Sequence, residues 1–127
     1  MAHSPYKTRT GLDRIIQAWR NSRAGLRTAW RTEAAFRQEA ALCAVLLPLA
    51  WWLGDNGTQR ALLGASALLV IVVELLNTAV EYAIDRISLE SHDLSKTAKD
   101  LGSAAVLLTL ALCAFVWAAI LLPRIQH

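Results

Sequence analysis

Three long apolar runs divide this chain, at residues 40–53, 61–84 and 102–122. A helix of about 20 apolar residues crosses a bilayer, and the first run reaches that length if its helix begins near Phe36. Hydrophobic residues make up 55% of only 127 residues, and a soluble domain of that size buries too small a fraction of its surface to hide them. The runs therefore predict an all-α membrane protein with three transmembrane helices.

The basic residues predict the orientation of these helices. Eight of the thirteen Lys and Arg residues precede the first run, and three more lie in the 85–100 segment between the second and third runs. Arg60 and Arg124 remain for the other side. Because positively charged loops stay in the cytoplasm, the N-terminus and the 85–100 segment are predicted to be cytoplasmic. The string Asp55-Asn56-Gly57 predicts a tight turn between the first two spans.

The segment before the first run predicts an amphipathic surface helix. Leu12, Ile15 and Trp19 recur at helical spacing, and Arg14 and Arg20 lie off that face. Such a basic amphipathic helix lies in the plane of the membrane interface. The chain is then a single membrane domain, residues 1–127, with a surface helix at about 10–31 and membrane-associated helices at about 33–54, 60–86 and 97–123.

An acidic stripe runs along the second span. At about 100° per residue, Glu74, Asn77, Glu81 and Asp85 fall within about 80° of one another. Glu74 follows the string LLVIVV, and an ionisable group at that depth is costly, so it should face the protein interior. A hydrogen-bonding ladder between helices is the structural alternative. Acids on one face repel one another, however, unless a cation or a proton lies among them.

Several polar residues near the cytoplasmic interface have both a functional and a structural interpretation. Magnesium prefers carboxylate oxygens together with substrate phosphates, which makes Glu33 a candidate partner of Glu81; Glu33 and Arg37 have the i, i+4 spacing of a surface ion pair. His92 is either a solvated side chain or a ligand. The spacing of Thr97 and Asp100 is that of a capping box that opens the third span, where a helix N-terminus can also bind a phosphate.

Other features exclude several classes of protein and site. The chain has no GxxxxGK[ST] phosphate loop. Its basic residues lie beside a membrane helix, where they act as topology determinants, so nucleic-acid binding is not expected. Cys43 and Cys113 lack the spacing of a zinc site and are predicted to be small buried hydrophobic residues.

Three strings carry a family resemblance: EAAFRQE (33–39), VELLNTAVEYAIDRI (73–87) and AKDLGSAAV (98–106). In this order and at these separations, they resemble the small bacterial membrane diacylglycerol kinases. The resemblance covers the chain from about residue 14 to the end of the third run. It implies a multi-pass homotrimer of the bacterial inner (plasma) membrane. It also implies transfer of the γ-phosphate of ATP, with Mg2+ as cofactor, to the hydroxyl of diacylglycerol, which gives phosphatidic acid.

The resemblance also implies roles for individual residues. Glu74 would be the catalytic base, Asn77 a neighbouring active-site residue, and Glu33 and Glu81 the metal ligands. Nucleotide-binding positions would be Arg14, Asn21, Glu33, Glu81, Glu90, Ser91, His92, Lys99 and Asp100. Lipid-substrate positions would be Arg14, Ala18, Trp19, Ser22, Arg23, Arg27, Trp30, Ala35, Arg37, Gln38, Glu39, Trp52, Arg60, Glu74 and Ser103. Asn21 departs from the aromatic residue expected there, which puts its nucleotide contact in question.

Two alternatives stay open at this point. A kinase that acts on a polyprenol such as undecaprenol shares the carboxylate core, although the basic surface helix and the string EAAFRQE favour diacylglycerol. A non-enzymatic channel or assembly subunit would use the acidic stripe as a permeation path. It would not need Glu33, Lys99 and Asp100 at the cytoplasmic face.

Overall fold

The computed structural model describes residues 10–87 and 92–126, which form four α-helices and, within those ranges, no strand. The helices are α1 (Gly11–Thr32), α2 (Ala34–Leu53), α3 (Gly57–Ile87) and α4 (Asp93–Ile125). One compact unit ends at Ala34 and a second begins at Ala35. The all-helical class is therefore confirmed for the described residues.

The first unit contains α1, an amphipathic helix as predicted. Thr10 caps its N-terminus, where the Thr10 hydroxyl accepts a hydrogen bond of 3.3 Å from the backbone N–H of Asp13. The helix ends where Glu33 adopts an extended conformation. Its large apolar side chains are exposed, with Leu12 and Ile15 each at 68%. A stripe of this kind needs a partner surface, and the predicted location in a membrane interface stays a prediction.

The second unit is organised around the pair of α3 and α4, the two helices whose backbones approach most closely. Leu63 is fully buried, and the indole N–H of Trp117 donates a 3.1 Å hydrogen bond to its carbonyl oxygen. The small core includes both cysteines, which are buried and free of disulfides. The prediction that Cys43 and Cys113 are small buried residues is thus confirmed.

A short turn joins α2 to α3, as Asp55-Asn56-Gly57 predicts. The side chain of Asn56 accepts a 2.9 Å hydrogen bond from the N–H of Gln59, which caps the start of α3. Gly54 is required here, because a Cβ at that position would lie 2.9 Å from the backbone nitrogen of Arg60. The Arg60 guanidinium stacks 4.8 Å from the centre of the Trp51 ring.

Arg124 ties the end of α4 to this turn. Its Nη1 donates to the carbonyl oxygen of Leu53 at 2.5 Å, and its Nη2 donates to the side-chain oxygen of Gln59 at 2.6 Å. The same guanidinium forms an ion pair of 2.9 Å with Asp55. One planar cation therefore joins the ends of α2 and α4 to the beginning of α3.

The start of α4 differs from the predicted capping box. The helix begins at Asp93, and the Nδ1 atom of its cap, His92, accepts a 3.0 Å hydrogen bond from the N–H of Leu94. Thr97 lies inside the helix and donates to the carbonyl oxygen of Asp93, four residues earlier. The capping interpretation of Thr97 and Asp100 was wrong. Lys99 consequently does not lie at a helix N-terminus.

Two of the described helices, α3 and α4, are long and apolar enough to cross a membrane. The α2 helix has 20 residues but carries Arg37, Gln38 and Glu39 in its first two turns, which lowers its average hydropathy. Membrane association is thus supported by α3 and α4, and the third span stays a prediction.

Candidate active site

The acidic stripe on α3 passes from the interior of the second unit to its surface. Glu74 is only 6% exposed, Asn77 and Glu81 are half-buried, and Asp85 is exposed. The prediction that Glu74 faces the interior is therefore confirmed. A buried carboxyl group needs a hydrogen-bond partner or a compensating charge.

Glu39 on α2 is close enough to Glu74 for the two carboxyl groups to interact electrostatically. Two neighbouring carboxylates in an apolar environment repel each other when both are ionised. The second oxygen of Glu39, Oε2, is one of the buried side-chain atoms that lack a hydrogen-bond partner in the described part of the chain.

Asn77 lies one turn beyond Glu74 and faces α4. Its Nδ2 donates a long hydrogen bond, 3.5 Å, to Oε1 of Glu81. Its Oδ1 is buried and, among the residues that the structure describes, has no hydrogen-bond partner. Gly102 on α4 makes room for this amide, since a Cβ at Gly102 would overlap Oδ1 and lie 3.2 Å from Cγ of Asn77. Oδ1 of Asn77 is therefore available as a hydrogen-bond acceptor for another group.

An apolar cavity of about 280 Å³ lies beside Glu39. Its walls come from α2, α3 and α4, and Glu39 is the charged residue that lines it. Apolar lining residues include Leu42, Leu46, Ala67 and Trp117. A cavity that is apolar except for one carboxyl group suits a ligand with a long hydrocarbon part and a small polar part.

Two ion pairs lie beyond the stripe, in the polar turns that precede the apolar run of α4. Lys99 donates to Oδ1 of Asp85 at 2.8 Å, and Lys96 donates to Oδ2 of Asp100 at 2.7 Å. The hydrogen bond from Lys99 to Asp85 raises the pKa of Lys99, and the one to Asp100 raises the pKa of Lys96. Lys99 thus connects the end of α3 to α4 and keeps a positive charge near Glu81.

The predicted metal ligands lie in different units. Glu33 follows α1 in the first unit, and Glu81 lies on α3 in the second. Within residues 10–87 and 92–126, no group of three or more His, Cys, Asp or Glu side chains is gathered for a metal ion. Magnesium takes only one or two protein carboxylates when it also binds substrate phosphates, so the hard oxygens of Glu33 and Glu81 fit its chemistry. Their role as ligands stays a prediction.

Comparison with known proteins identifies the family. The sequence profile of the prokaryotic diacylglycerol kinases matches residues 20–121. A diacylglycerol kinase of Pseudomonas aeruginosa is 51% identical over 122 residues, which are 96% of this chain and 99% of that protein. The diacylglycerol kinase of Haemophilus influenzae is 46% identical and covers 91% of this chain and 98% of its own length. That of Escherichia coli strain K12 is also 46% identical, over 88% of this chain and 92% of its own.

This chain belongs to the prokaryotic diacylglycerol kinase family. The family match covers α2, α3 and nearly all of α4, and it begins inside α1. Every residue of the carboxyl cluster and of the cavity beside it lies within the matched range.

The residues that the family resemblance assigns are distributed over all four helices. Those on α1 are exposed: Arg14, Ala18, Trp19, Asn21, Ser22, Arg23, Arg27 and Trp30. The α2 helix carries Ala35, Arg37, Gln38, Glu39 and Trp52, and α4 carries Lys99, Asp100 and Ser103. His92 caps α4, whereas Glu90 and Ser91 lie outside the described residues.

Two members of the predicted lipid set are remote from the carboxyl pair. Arg60 precedes Glu74 by 14 residues of the same helix, which corresponds to about 21 Å along its axis. Trp52 lies in the last turn of α2 and is exposed. The structure thus brings Glu39, Glu74, Asn77 and Gly102 together and leaves Arg60 and Trp52 at the other end of the helices.

Two contacts of this site were not predicted from the sequence. Glu39 was assigned only to the lipid substrate, although an acid at the polar start of an apolar run is itself a signal for a buried partner. Gly102 was not among the predicted site residues. Its signal was a glycine within a helical segment, which often marks a close approach of another group.

Proposed function

We propose that this protein is a lipid kinase that transfers the γ-phosphate of ATP to the hydroxyl of diacylglycerol and produces phosphatidic acid. The proposal rests on the similarity to proteins named diacylglycerol kinase. The observation that carries it in the structure is the buried carboxyl group of Glu74, in a helix suited to a membrane and one turn after Val70, which lines an apolar cavity. A lipid hydroxyl can reach such a group from the bilayer.

In this proposal Glu74 is the general base. The γ-phosphoryl group needs an attacking oxygen in line with the leaving group and little covalent help from the protein. Glu74 accepts the proton of the diacylglycerol hydroxyl as its oxygen attacks, which is the role that a positioned carboxylate performs in proton transfer. Asn77, with its unused Oδ1 acceptor, orients a donor group in the same site.

The phosphate end of the site is assigned to the cytoplasmic ends of α3 and α4. Glu33 and Glu81 would hold Mg2+, and the ion would supply positive charge for the ATP phosphates. Lys99 contributes a further positive charge from its position beside Asp85. Following the family resemblance, we also propose that Arg14, Asn21, Glu90, Ser91 and His92 contact the nucleotide.

The lipid end of the site is assigned to α1 and the start of α2. The α1 helix exposes Trp19 and Trp30 together with a series of arginines, a composition suited to the headgroup region of an anionic membrane. We propose that this face holds the substrate at the membrane surface while Glu74 reaches its hydroxyl.

The proposed assembly is a homotrimer of three-span subunits in the bacterial inner membrane, with the N-terminus in the cytoplasm. The charge asymmetry of the loops supports this orientation. A trimer is supported by the family resemblance and by the small size of one chain, which must bind both a nucleotide and a lipid.

The deciding experiment measures ATP-dependent phosphorylation by purified protein in mixed micelles, with diacylglycerol and undecaprenol offered separately. We expect magnesium-dependent turnover of diacylglycerol. Glu74→Gln should lower turnover by about 100-fold or more, because general-base catalysis contributes at least that factor. Glu81→Gln should raise the magnesium requirement.

Asp55→Asn is the matched control for these variants. It removes an exposed carboxylate at the opposite end of α3 and should leave turnover unchanged. A preference for undecaprenol would show that the substrate is a polyprenol instead of diacylglycerol. Near wild-type turnover in Glu74→Gln would remove the proposed base, and failure to phosphorylate either lipid by folded protein would contradict the kinase proposal.

A further inference from the structure

Asp85 is the one member of the acidic stripe that has no role in the proposed function, yet it binds a residue that has one. The Lys99 ammonium donates to Oδ1 of Asp85 at 2.8 Å, and the two side chains are 42% and 53% exposed. An ion pair that is this exposed to solvent adds little to the stability of a fold. The contact is therefore more informative about where it holds Lys99 than about the packing of α3 and α4.

Lys99 and Asp85 lean toward each other because of the directions of their helices. Helices α3 and α4 run antiparallel, and Gly102 of α4 lies against Asn77 of α3. In this register Lys99 lies level with about position 80 of α3, and Asp85 lies about 7 Å further along the axis of that helix. Helical side chains point toward the N-terminus of their own helix, so the two groups meet between those levels. The ammonium is held beside the turn of α3 that follows Glu81.

The contact with Asp85 uses one of the three donors of the Lys99 ammonium. An ammonium group has three donors and no acceptor, and in the part of the chain that the structure describes Asp85 is its only partner. Because the group is partly exposed, its other two donors are open to a ligand that approaches from water. Phosphate oxygens are acceptors that form short, strong hydrogen bonds with such a cation.

Fixing the Lys99 side chain in one position has an entropic cost. A lysine stem is flexible and has a large amount of rotamer freedom, which is lost when the ammonium binds a phosphate. An ion pair that already restricts the side chain removes part of this loss from the binding step. Asp85 is thus placed to prepare Lys99 for the nucleotide.

We propose that Asp85 is a positioning residue for the nucleotide: it holds the Lys99 ammonium at the phosphate end by one donor and leaves two donors for the phosphates of ATP. This inference rests on the proposed function, in which Lys99 binds ATP. Asp85 acts through Lys99 and touches neither the transferred phosphoryl group nor the lipid. The ion pair persists in the nucleotide-bound protein, in contrast to a carboxylate that competes with ATP for Lys99 and leaves when ATP binds.

A double-mutant cycle tests this role by direct binding. The four proteins are the wild type, Asp85→Ala, Lys99→Ala and the double variant, each purified in detergent micelles. The probe is the magnesium complex of the β,γ-imido analogue of ATP, and its Kd is measured by titration calorimetry. Asp85→Ala should raise this Kd about 3- to 10-fold, because one long side chain then has to be ordered on binding. In the Lys99→Ala background the same substitution should change Kd by less than about twofold, because the residue through which Asp85 acts is absent.

Steady-state kinetics and two further variants separate positioning from a structural effect. Asp85→Ala should raise the KM for MgATP and leave kcat and the KM for diacylglycerol within about twofold of the wild type. Asp85→Glu keeps a carboxylate that the flexible lysine can reach, so it should recover most of the lost affinity. The control is Asp55→Ala, which breaks an ion pair of similar length, 2.9 Å, at the opposite end of α3 and should leave Kd unchanged. The variants are compared at equal helical content by circular dichroism.

The two proposals can fail separately. Wild-type protein that binds the analogue but phosphorylates no lipid would contradict the proposed function and leave the role of Asp85 in place. An active wild type in which Asp85→Ala leaves Kd unchanged or lowers it would overturn the positioning role. The same conclusion would follow from an equal rise of Kd in the Lys99→Ala background, or from an Asp85→Glu variant that binds as weakly as Asp85→Ala.

Discussion

The contact between Gly102 and Asn77 sets the position of an amide next to the proposed base. The amide lies where the side chain of any other residue at position 102 would be. Alanine at this position would displace the Asn77 amide from its contact with α4. A displacement of this amide matters because the main task of the site is to position the reactants.

We predict that Gly102→Ala lowers turnover by about tenfold, which corresponds to about 1.4 kcal/mol of transition-state stabilisation. Steady-state kinetics in mixed micelles measures this effect. The matched control is Gly64→Ala, also within a helix, where the added Cβ would lie at an ordinary 3.7 Å from Leu47. That control should keep full turnover and gain about 0.5–1 kcal/mol of stability. Equal turnover in the two variants would contradict the prediction.

At the level of single residues, the sequence predicted the features that depend on the spacing within one helix. It did not predict the features that depend on how two helices pack. The inward orientation of Glu74 follows from its helical spacing and from the cost of exposing a carboxylate to lipid. Its proximity to Glu39 depends on the rotation of α2 relative to α3. The residue spacing within each helix gives no information on the rotation of one helix relative to the other, so the sequence could not predict that Glu39 lies near Glu74.

At the level of helices, the Arg124 guanidinium is the connection that holds three helix ends together. It satisfies the carbonyl oxygen of Leu53, one of the last carbonyls of α2, which has no partner within its own helix. It also binds Asp55 and Gln59 in the turn that follows. The side chain is one-third exposed, which limits how strongly each contact stabilises the fold.

We predict that Arg124→Ala lowers the free energy of unfolding in detergent by about 1–2 kcal/mol, in line with the loss of hydrogen bonds to a charged group. Arg124→Lys should lose most of the same stability, because an ammonium group lacks the planar fork that reaches several acceptors. Thermal unfolding measures both. Lys96→Ala is the control, since its i, i+4 pair with Asp100 is exposed to solvent and contributes little to stability. An Arg124→Ala variant as stable as Lys96→Ala would refute the prediction.

The helix ends illustrate which boundaries a sequence defines. The turn at residues 55–57 was predicted because Asp, Asn and Gly favour turns for local reasons. The start of α4 was placed too late, because Thr97 and Asp100 have the spacing of a capping box and His92 is a rare cap. The structure instead caps the helix with the His92 ring and lets Thr97 bond backward to Asp93.

At the level of the whole molecule, the proposed topology separates two ends that chemical labelling can distinguish. Thr10 precedes α1 and Gln126 follows α4, and both residues are exposed. We predict that Thr10→Cys reacts with a membrane-impermeant maleimide only from the cytoplasmic side, and Gln126→Cys only from the external side. Cys43 and Cys113 are buried and serve as the internal background. Labelling of both positions from the same side would contradict a three-span topology.

The membrane class of the protein could be predicted from composition, because α3 and α4 are apolar over lengths that a small soluble domain cannot bury. The role of α2 as a span could not be settled in the same way. Its first two turns carry Arg37 and Glu39, and the cost of the latter depends on a partner from another helix. The trimer depends on surfaces between chains and remains a prediction.

The contacts of Arg124 also determine how the lengths of α2, α3 and α4 compare with the thickness of a bilayer. Twenty residues make α2 about 30 Å long, equal to the hydrocarbon core, whereas the 31 residues of α3 and the 33 of α4 measure about 46 Å and 50 Å. Since Arg124 holds the ends of all three helices at one level, the surplus of about 15–20 Å extends entirely from the opposite face. In the proposed three-span topology, Asp85 and Lys99 would therefore stand above the lipid headgroups, where a nucleotide in water could reach them, and the buried end of the acidic stripe would stay at the depth of the lipid.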